Sequence, residues 1–512
     1  MAWLTSLFES PNLTQGVYIG LAVVFASTVW GILADDSRIP VVGKNWWDFS
    51  NHKARSRFTE AARELIAEGF SKGTSAFQVM APTGPLIVLH PKYVDEIKNH
   101  PYLDFEQFVR KVTFFHDRIA GFEAFHPGRA SGLLVDVIRI KLNQALGYEN
   151  YIGAIIADTV DSPSEWKPCN FSQQCPLLVA RLSTLIFMGE RICHDKDWIN
   201  VAVNYTVDAF LAARELQSWP SFLRPLLHWF LPSMHKVRRH LTVARSIVNG
   251  EIERRKSTRQ GQLLNDPGNT PDALDWFEEF TRAYSLSFDF AVGQVGLAMA
   301  AIHTTSNLLT NVMYDLAAYP EYIQPLREEV RTVIAEDGNL RKTSLLKLKL
   351  MDSVMKESQR INPVSMTSLN RVAMREVVLS DGTVIPKGAS IAVSAHSNRD
   401  ESIYHHAGDY DGYRFLQKRR KPGHEHRHQL VTTSNQSYYG FGHGLHACPG
   451  RFFAANETKI LLTHLLLKYD WTFVRGAGRP QNFEIGNESV TDPTVEMFFR
   501  SREPEIDLTA LG

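Results

Sequence analysis

The sequence predicts a mainly α-helical domain with a minor β-sheet region, preceded by one N-terminal transmembrane helix. Three observations lead to this fold class: an uncharged apolar stretch near the N-terminus, helical periodicity through most of the remaining chain, and only two short β-prone sections. The composition, 44% apolar and 21% charged residues in a chain of 512, is ordinary for a protein that buries a large core.

Charge and cysteine content exclude several classes of protein. Basic and acidic residues number 55 each, so no basic excess points to a nucleic-acid partner. The cysteines are too sparse for a disulfide scaffold of this length; they are Cys169, Cys175, Cys193 and Cys448. The bulk of the chain therefore reads as a reduced, cytosol-facing enzyme or receptor.

The first element is the stretch at residues 17–34, which has eighteen residues without a charge and is near the minimum for a membrane-spanning helix. A cleaved signal peptide is the alternative, but residues 1–16 lack the Lys or Arg that such a peptide has. Basic residues follow the stretch and none precedes it, which favours a cytosolic body. We expect a lumenal segment at 1–16, an anchor at 17–34 and a stiff linker at 35–50.

The body, residues 51–512, reads as one domain because no second linker, repeat or low-complexity tract follows. Two apolar runs, 77–80 and 86–89, flank a Pro-Thr-Gly turn and predict a hairpin. A second β-prone section covers 377–393, with glycine-containing turns inside it. Most of the rest has helical periodicity, so the sheet is assembled from pieces that lie far apart in the sequence.

One long segment, residues 290–319, contains no Lys, Arg or Pro, and Pro320 ends it. We predict a central buried helix here. A second membrane span is the competing interpretation, but polar residues such as Gln294, Asn307 and Asn311 disfavour it. His303 and Thr304 lie near its middle; one buried histidine alone is more typical of a packed core than of a catalytic site.

A glycine-punctuated loop at residues 441–450 presents Cys448 just before an apolar helix. A cysteine at a helix N-terminus lies at the positive end of the dipole, which favours the thiolate. Glycines at 442, 444 and 450 would let a large flat group approach the backbone. Taken alone, the cysteine could be a nucleophile, a metal ligand or an inert buried residue.

Four sequence patterns occur together along the body. They are F-x-x-G-x-x-x-C-x-G at 441–450, E-x-x-R at 357–360, Arg414 within 410–415, and AAIHTT at 300–305. In this order and spacing the chain resembles the cytochrome P450 family, which implies the cytochrome P450 fold for residues 51–512. The wording of the segments is closest to fungal microsomal members of the ent-kaurene-oxidase-like group.

The resemblance implies a haem b cofactor and the residues that hold it. Cys448 would be the axial thiolate ligand of the iron. Phe441 and Gly442 would lie beside the haem, and Arg371 and His446 would bind its propionates. The alternative for Arg371 is a charge at the edge of the sheet.

The resemblance also implies catalytic and structural residues. Thr304 would supply a hydroxyl for proton delivery on the oxygen side of the haem. Glu357 and Arg360, three residues apart on one helix face, would pair and form a buried ionic network with Arg414.

The chain departs from the family pattern at three places. His303 stands where an acidic residue is usual, and it either relays protons in its place or hydrogen-bonds within the helix core. His446 stands where an arginine is usual. Arg139 or Lys141 could fill the place of a further basic residue, but the neighbouring tryptophan is absent and we assign neither.

The implied function is a monooxygenase that inserts one oxygen atom from O₂ into a lipophilic intermediate of fungal secondary metabolism. No G-x-G-x-x-G motif follows a strand, so a separate reductase must supply the electrons. The resemblance implies that this is NADPH–cytochrome P450 reductase on the endoplasmic reticulum membrane. A terpenoid, indole-diterpene or polyketide-derived substrate fits if aromatic residues and the 219–232 segment line the entry. The aromatic residues are Phe114, Phe115, Phe122 and Phe125; ordinary packing is the alternative for all of them.

Three other functions compete with this one. A haem-thiolate isomerase or dehydratase would need no reductase. A membrane-bound zinc peptidase would use the H-E-x-x-H pattern at His424 and His428, although the basic run at 418–421 beside it favours a solvated loop. A non-catalytic haem or lipid-binding protein is the third.

Overall fold

Long helices make up most of the chain, as the hydrophobic periodicity predicts. The computed structural model describes residues 39–503 and 506, except 46, 49, 114–118, 126–130, 145–154, 157, 161–162, 221, 262–270, 339, 433–437, 475 and 504–505. The α-helices are α1 (His52–Ser71), α2 (Val94–Ile97), α3 (Phe105–Thr113), α4 (Ser131–Asp136), α5 (Phe171–Met188), α6 (Glu190–Cys193), α7 (Lys196–Ser218), α8 (Arg224–Leu227), α9 (Pro232–Gly261), α10 (Ala273–Tyr284), α11 (Phe290–Ala318), α12 (Ile323–Asp337), α13 (Lys342–Lys347), α14 (Lys349–Ile361), α15 (Arg414–Arg419) and α16 (Arg451–Lys468).

The strands are short and come from distant parts of the sequence, as predicted. They are β1 (Ala76–Ala81), β2 (Gly84–Leu89), β3 (Leu103–Asp104), β4 (Lys167–Cys169), β5 (Thr367–Ala373), β6 (Val377–Val378), β7 (Val384–Ile385), β8 (Ser390–Ser394), β9 (Tyr469–Phe473), β10 (Phe483–Ile485), β11 (Glu488–Val490) and β12 (Met497–Ser501). The largest sheet has the order β1-β2-β8-β5-β3. β1 and β2 form the predicted antiparallel hairpin, β8 joins β2 in parallel, and β5 pairs β8 antiparallel.

Helix α11 is the predicted central helix. The carboxylate of Asp289 caps its N-terminus by accepting hydrogen bonds from the backbone N–H groups of Ala291 and Val292, at 3.0 and 3.3 Å. The helix ends two residues before Pro320, which has no N–H to continue it. It contacts α5, α7, α9, α14 and α16, and most of its residues are buried. The prediction of a buried central helix is confirmed.

The cores separate the helical part from the sheet. The largest cluster of buried side chains joins α5, α7, α11 and α16, while two smaller clusters lie on the two faces of the five-stranded sheet. The cysteine loop at residues 441–450 enters α16 between these regions, because α16 packs on α11 and the segment before the loop contacts β8.

Within the described part of the chain, the helices are all too short or too polar to cross a membrane. The predicted anchor at residues 17–34 and the lumenal segment at 1–16 lie outside the described residues, as does the start of the predicted linker.

Candidate active site

Cys448 lies in a tight loop that ends at helix α16. Its backbone N–H donates a hydrogen bond to the carbonyl of Phe441 at 2.8 Å, which closes the loop. Gly442 and Gly444 have φ angles of 71° and 75°, in the left-handed region that glycine adopts without a steric cost. The reversal of the chain therefore depends on these glycines and sets the sulfur just ahead of the helix, which begins at Arg451.

Position 444 requires glycine because the backbone there packs closely against another segment of the protein. A Cβ atom on Gly444 would lie 2.6 Å from Asn99 Oδ1 and 2.9 Å from the carbonyl oxygen of Lys98. Asn99 Oδ1 also accepts a hydrogen bond from the N–H of Leu445 at 2.7 Å. The expectation that all three glycines make room for a flat group is therefore wrong at Gly444, because the 98–99 segment fills that space.

The surroundings of the Cys448 sulfur act in two directions. Burial raises the pKa of the thiol above its ordinary value, whereas the backbone N–H groups of Gly450 and Arg451 and the Arg451 charge lower it. Burial dominates, so the helix N-terminus alone does not produce a thiolate. A bound metal ion would, because metal coordination deprotonates a cysteine outright.

Arg371 and His446 lie at the cysteine loop, on the ring of Phe105. The Arg371 guanidinium lies 5.5 Å from the ring centroid, and the His446 ring centroid lies 5.6 Å from it. Burial lowers the pKa of Arg371 to about 10, while the charge of Asp104 raises it. Burial, then the Arg371 charge, lower the pKa of His446, so the two predicted propionate-binding residues are neighbours.

Arg371 is a buried cation that forms no salt bridge among the described residues, although the charge of Asp104 acts on it from a longer distance. Its side chain is 2% exposed, and its hydrogen bond runs to the carbonyl of Asn370 at 2.7 Å. A buried charge of this kind is costly unless an anion compensates it. The site therefore has the chemistry of an anion-binding pocket next to a cysteine.

Arg139 joins this region, and Lys141 does not. Arg139 Nη2 donates to the carbonyl of Leu445 at 2.9 Å, inside the cysteine loop. Lys141 instead pairs with Glu279 at 2.8 Å. The sequence alone does not choose between these two basic residues, because they are two positions apart and contacts with distant segments decide which side chain faces the loop. Phe105, which no sequence pattern singled out, is the ring that contacts both Arg371 and His446.

The middle of α11 exposes one face although most of the helix is buried. Ala300 and Thr304, one turn apart, are exposed, whereas Ile302 and Thr305 are buried. The Thr304 hydroxyl donates to the carbonyl of Ala300 at 2.8 Å, and its oxygen remains able to accept. An exposed hydroxyl in the centre of a buried helix indicates that this face borders an open space inside the protein.

The predicted ionic network is present and buried. Arg360 donates two hydrogen bonds to the Glu357 carboxylate, at 2.7 and 2.8 Å, and Arg414 Nε donates to the same carboxylate at 2.9 Å. Arg360 also donates to the carbonyls of Asn398 and Ala407. Helix α14 is thereby fixed to the 398–414 segment that leads towards the cysteine loop.

Comparison with known proteins agrees with this arrangement. A family model described as Cytochrome P450 matches residues 146–496. The cytochrome P450 monooxygenase calE of Penicillium decumbens is 36% identical over 506 residues, which cover 96% of each chain. The monooxygenase ptmU of Penicillium ochrochloron is 40% identical over 89% of this chain and 90% of its own, and hepE of Aspergillus oryzae 38% over 91% and 86%.

This chain belongs to the cytochrome P450 family. Members of the family depend on thiolate-ligated haem b, and the relatives named here are monooxygenases, so the protein is an oxidoreductase of that class. The described residues fit the cofactor: a half-buried cysteine at a helix N-terminus, a buried guanidinium that forms no salt bridge among the described residues, and an open face on α11. The finer likeness to ent-kaurene-oxidase-like members stays a prediction.

His303, in the place where P450 proteins usually have an acidic residue, links two helices. Its Nε2 lies 2.7 Å from the carbonyl oxygen of Val203 on α7 and so carries the donated proton. Burial lowers the pKa of the ring, and the Val203 carbonyl raises it. This contact agrees with the interpretation of His303 as a hydrogen-bonding residue of the helix core. It also occupies Nε2, so this nitrogen is not available to pass a proton.

The predicted entry residues divide between core and surface. Phe122 is 1% exposed and belongs to the large core, so lining is the wrong interpretation for this residue. Phe125 is half-buried, with its ring centroid 5.5 Å from that of Phe210 on α7. Phe114 and Phe115 lie outside the described residues.

The 219–232 segment, between α7 and α9, exposes large apolar side chains. The most exposed are Phe222 at 78%, Phe230 at 71%, Leu226 at 61% and Trp229 at 55%. Arg238 of α9 holds the segment by donating to the carbonyl and to Nδ1 of His228. Ordinary core packing therefore does not account for this segment.

The H-E-x-x-H pattern has no helix to support it. Residues 424–428 form turns, and His428 has a φ of 62°, so the two histidines do not share a helix face. No group of three metal-ligating side chains occurs within the described residues. The adjacent basic run is only partly solvated, because Arg419 is buried and pairs with Asp352 at 3.3 Å.

Proposed function

We propose that this protein is a microsomal monooxygenase of fungal secondary metabolism that oxidises a bulky lipophilic intermediate with O₂. The observation that carries the proposal is the pairing of a half-buried cysteine in a glycine turn with a buried guanidinium that forms no salt bridge among the described residues. Membership of the P450 family and relatives named as monooxygenases support the reaction class.

In this proposal the chain holds the cofactor from two sides. Cys448 would hold the iron through its sulfur, and Phe441 and Gly442 would form the turn beside the haem. Arg371 and His446 bind the propionates: Arg371 does so as a buried cation, which an anion compensates, and His446 as a ring N–H donor. Thiolate-ligated haem, when bound, supplies the activation of O₂ that a side chain cannot.

Thr304 is the proposed proton-handling residue. Its hydroxyl is exposed on the open face of α11, while its hydrogen bond to the carbonyl of Ala300 fixes the rotamer. The oxygen can accept a proton-bearing water and hold it on this face. His303 supports the site by joining α11 to α7 and has no proton-transfer step in this account.

The proposed substrate is a terpenoid, indole-diterpene or polyketide-derived intermediate. The exposed apolar residues of the 219–232 segment support entry from a lipid phase, where such intermediates concentrate. We further propose that NADPH–cytochrome P450 reductase supplies the electrons on the endoplasmic reticulum membrane and that the haem domain faces the cytosol.

Isotope labelling tests this function. The gene is deleted, the accumulating metabolite is purified, and the holoenzyme is supplied with it, NADPH, reductase and isotopically labelled O₂. We expect turnover to require NADPH and the product to gain a labelled oxygen atom. Conversion without NADPH, with no label in the product, would contradict a monooxygenase and favour the isomerase or dehydratase.

A further inference from the structure

Lys356 is a buried lysine on α14, next to Glu357, with no role so far assigned. Its side chain is 2% exposed. Its Nζ donates to the carbonyl oxygens of Gln429 and Thr432, each at 2.7 Å. These carbonyls belong to the segment that leads from α15 to the cysteine loop, so the lysine holds that segment directly.

The third side of the ammonium group faces aromatic rings. Nζ lies 4.0 Å from the ring centroid of Tyr438 and 5.2 Å from that of Phe415. A desolvated cation over an aromatic face is favourable. The nearby carboxylate of Asp352 is already engaged by Arg419 and Lys459, at 3.3 and 2.7 Å. The contacts that hold Lys356 are thus carbonyls and rings on both sides of residues 433–437.

Gln359, on the same helix, contacts the residues just before the cysteine loop. The Tyr438 hydroxyl donates to Oε1 of Gln359, one turn from Lys356. Gly440 is packed so closely here that a Cβ atom would lie 2.8 Å from Cδ of Gln359 and 2.9 Å from the Tyr438 hydroxyl. The residues just before the loop are therefore packed tightly against α14.

Three further hydrogen bonds connect this region to Cys448. The Tyr439 hydroxyl donates to the carbonyl of Ser394 at the end of β8, and the N–H of Gly442 donates to the carbonyl of Tyr439 at 2.7 Å. The N–H of Cys448 then donates to the carbonyl of Phe441 at 2.8 Å. The first contact ties Tyr439 to β8, and the other two link Tyr439 to Gly442 and Phe441 to Cys448, which leaves the loop little freedom to adjust independently.

We propose that Lys356 is a positioning residue for the ligand cysteine: it fixes Gln429, Thr432 and Tyr438 against α14 and thereby sets the sulfur of Cys448 for the haem iron. The inference rests on the proposed role of Cys448. Mutating a residue that orients a metal ligand without touching the metal typically lowers metal affinity or activity by about 10- to 100-fold.

Substitutions at Lys356 separate positioning from packing. Lys356→Met keeps the length of the side chain but leaves two buried carbonyls without their donor. Lys356→Arg keeps a cation that can donate to both carbonyls and stack on Tyr438. Lys347→Met, at an exposed lysine of α13 that pairs with Glu336 and Asp337, is the matched control.

The readouts are the rate of haem transfer from the holoenzyme to an excess of apomyoglobin and the carbon-monoxide difference spectrum. We expect Lys356→Met to release haem about tenfold faster or more and to lose part of the band typical of thiolate ligation. Lys356→Arg and Lys347→Met should match wild type in both readouts. Lys356→Met that releases haem at the wild-type rate with an unchanged band would overturn the proposal.

A general loss of stability is a different explanation, and Val330→Ala tests it. Val330 is fully buried on α12, away from the loop. If Val330→Ala releases haem as fast as Lys356→Met at an equal loss of thermal stability, the positioning role is wrong. If Lys356→Met does not fold, Tyr438→Leu and Tyr438→Phe replace it. Faster release by the leucine variant alone supports the proposal, and equal rates contradict it.

Failure of the underlying assignment would look different. If Cys448→Ser keeps the thiolate band, Cys448 is not the ligand, whatever the Lys356 variants do. If Cys448→Ser loses the band and Lys356→Met is unchanged, only the positioning role fails.

Discussion

At the scale of single residues, the neighbouring threonines of α11 have opposite surroundings. Thr304 is exposed on the open face, whereas Thr305 is 1% exposed and its hydroxyl has no hydrogen-bond partner among the described residues. The two residues therefore form a natural pair in which only one hydroxyl can serve the reaction.

Replacing Thr304 tests that difference. We expect Thr304→Ala to keep consuming NADPH and O₂ while product per NADPH falls by about tenfold or more, because the hydroxyl that holds the proton-bearing water is lost. Thr305→Ala removes the same atoms from the buried side and should keep normal coupling. Measured ratios of product to NADPH check both variants, and normal coupling in Thr304→Ala removes Thr304 from the mechanism.

Residue identities could be predicted where a motif fixes the spacing, and less well where packing decides. Cys448, Arg371 and His446 were expected near one another, and the ring of Phe105 brings the latter two together. Phe105 itself and the choice of Arg139 over Lys141 depend on contacts between segments far apart in the sequence. The same holds for the reason that Gly444 is a glycine.

At the scale of elements, α16 and α5 meet at a buried acid. Glu457 of α16 is 2% exposed and accepts a hydrogen bond from the Ser183 hydroxyl at 2.7 Å. Burial raises the pKa of its carboxyl to about 8, against which the Ser183 contact acts weakly. The folded protein therefore keeps a proton that the unfolded chain releases at a lower pH.

This acid makes stability depend on pH with a definite sign. Between the ordinary carboxyl pKa of about 4.3 and about 8, the folded state binds more protons, so stability falls as pH rises through this window. We expect Glu457→Gln to flatten the fall and to stabilise the protein by on the order of a few kcal/mol at about pH 8. Thermal midpoints measured at about pH 5 and about pH 8 check this. Glu253→Gln, at an exposed carboxyl, should leave the thermal midpoints at both pH values unchanged. A pH profile of Glu457→Gln equal to that of wild type contradicts the account.

Element-level prediction succeeded where one helix carries its own signal. The caps and apolar length of α11 and the E-x-x-R spacing on α14 are local, so the sequence contains them. The carbonyls of Asn398 and Ala407 that complete the network are not encoded by any pattern, because main-chain groups carry no sequence signature. The H-E-x-x-H pattern shows the converse, a motif without the helix that its chemistry needs.

At the scale of the whole molecule, the proposal assigns membrane attachment to two separate segments, the predicted anchor and the exposed 219–232 segment. The first is an apolar stretch at residues 17–34, long enough to cross a bilayer. The second is an apolar surface on the haem domain, which includes Phe222 and Phe230. Because the two segments are far apart in the sequence, each can be deleted or substituted without changing the other.

Fractionation of cell membranes separates the two attachments. We expect the full chain to resist extraction by alkaline carbonate and to keep its N-terminal residues by mass spectrometry. Deletion of residues 1–34 should make the protein extractable but still able to bind phospholipid vesicles, and adding Phe222→Asp and Phe230→Asp should abolish that binding. A full chain that is readily extracted, or whose first residues have been cleaved away, contradicts the anchor and favours a signal peptide.

The axial ligation of haem by Cys448 is the claim on which the other roles depend, and the carbon-monoxide difference spectrum of the reduced protein tests it directly. We predict the band typical of thiolate ligation in wild type and in Cys169→Ser, which alters a half-buried cysteine away from the loop. We predict its absence in Cys448→Ser, since a hydroxyl cannot donate the same electron density. An unchanged band in Cys448→Ser would contradict the account.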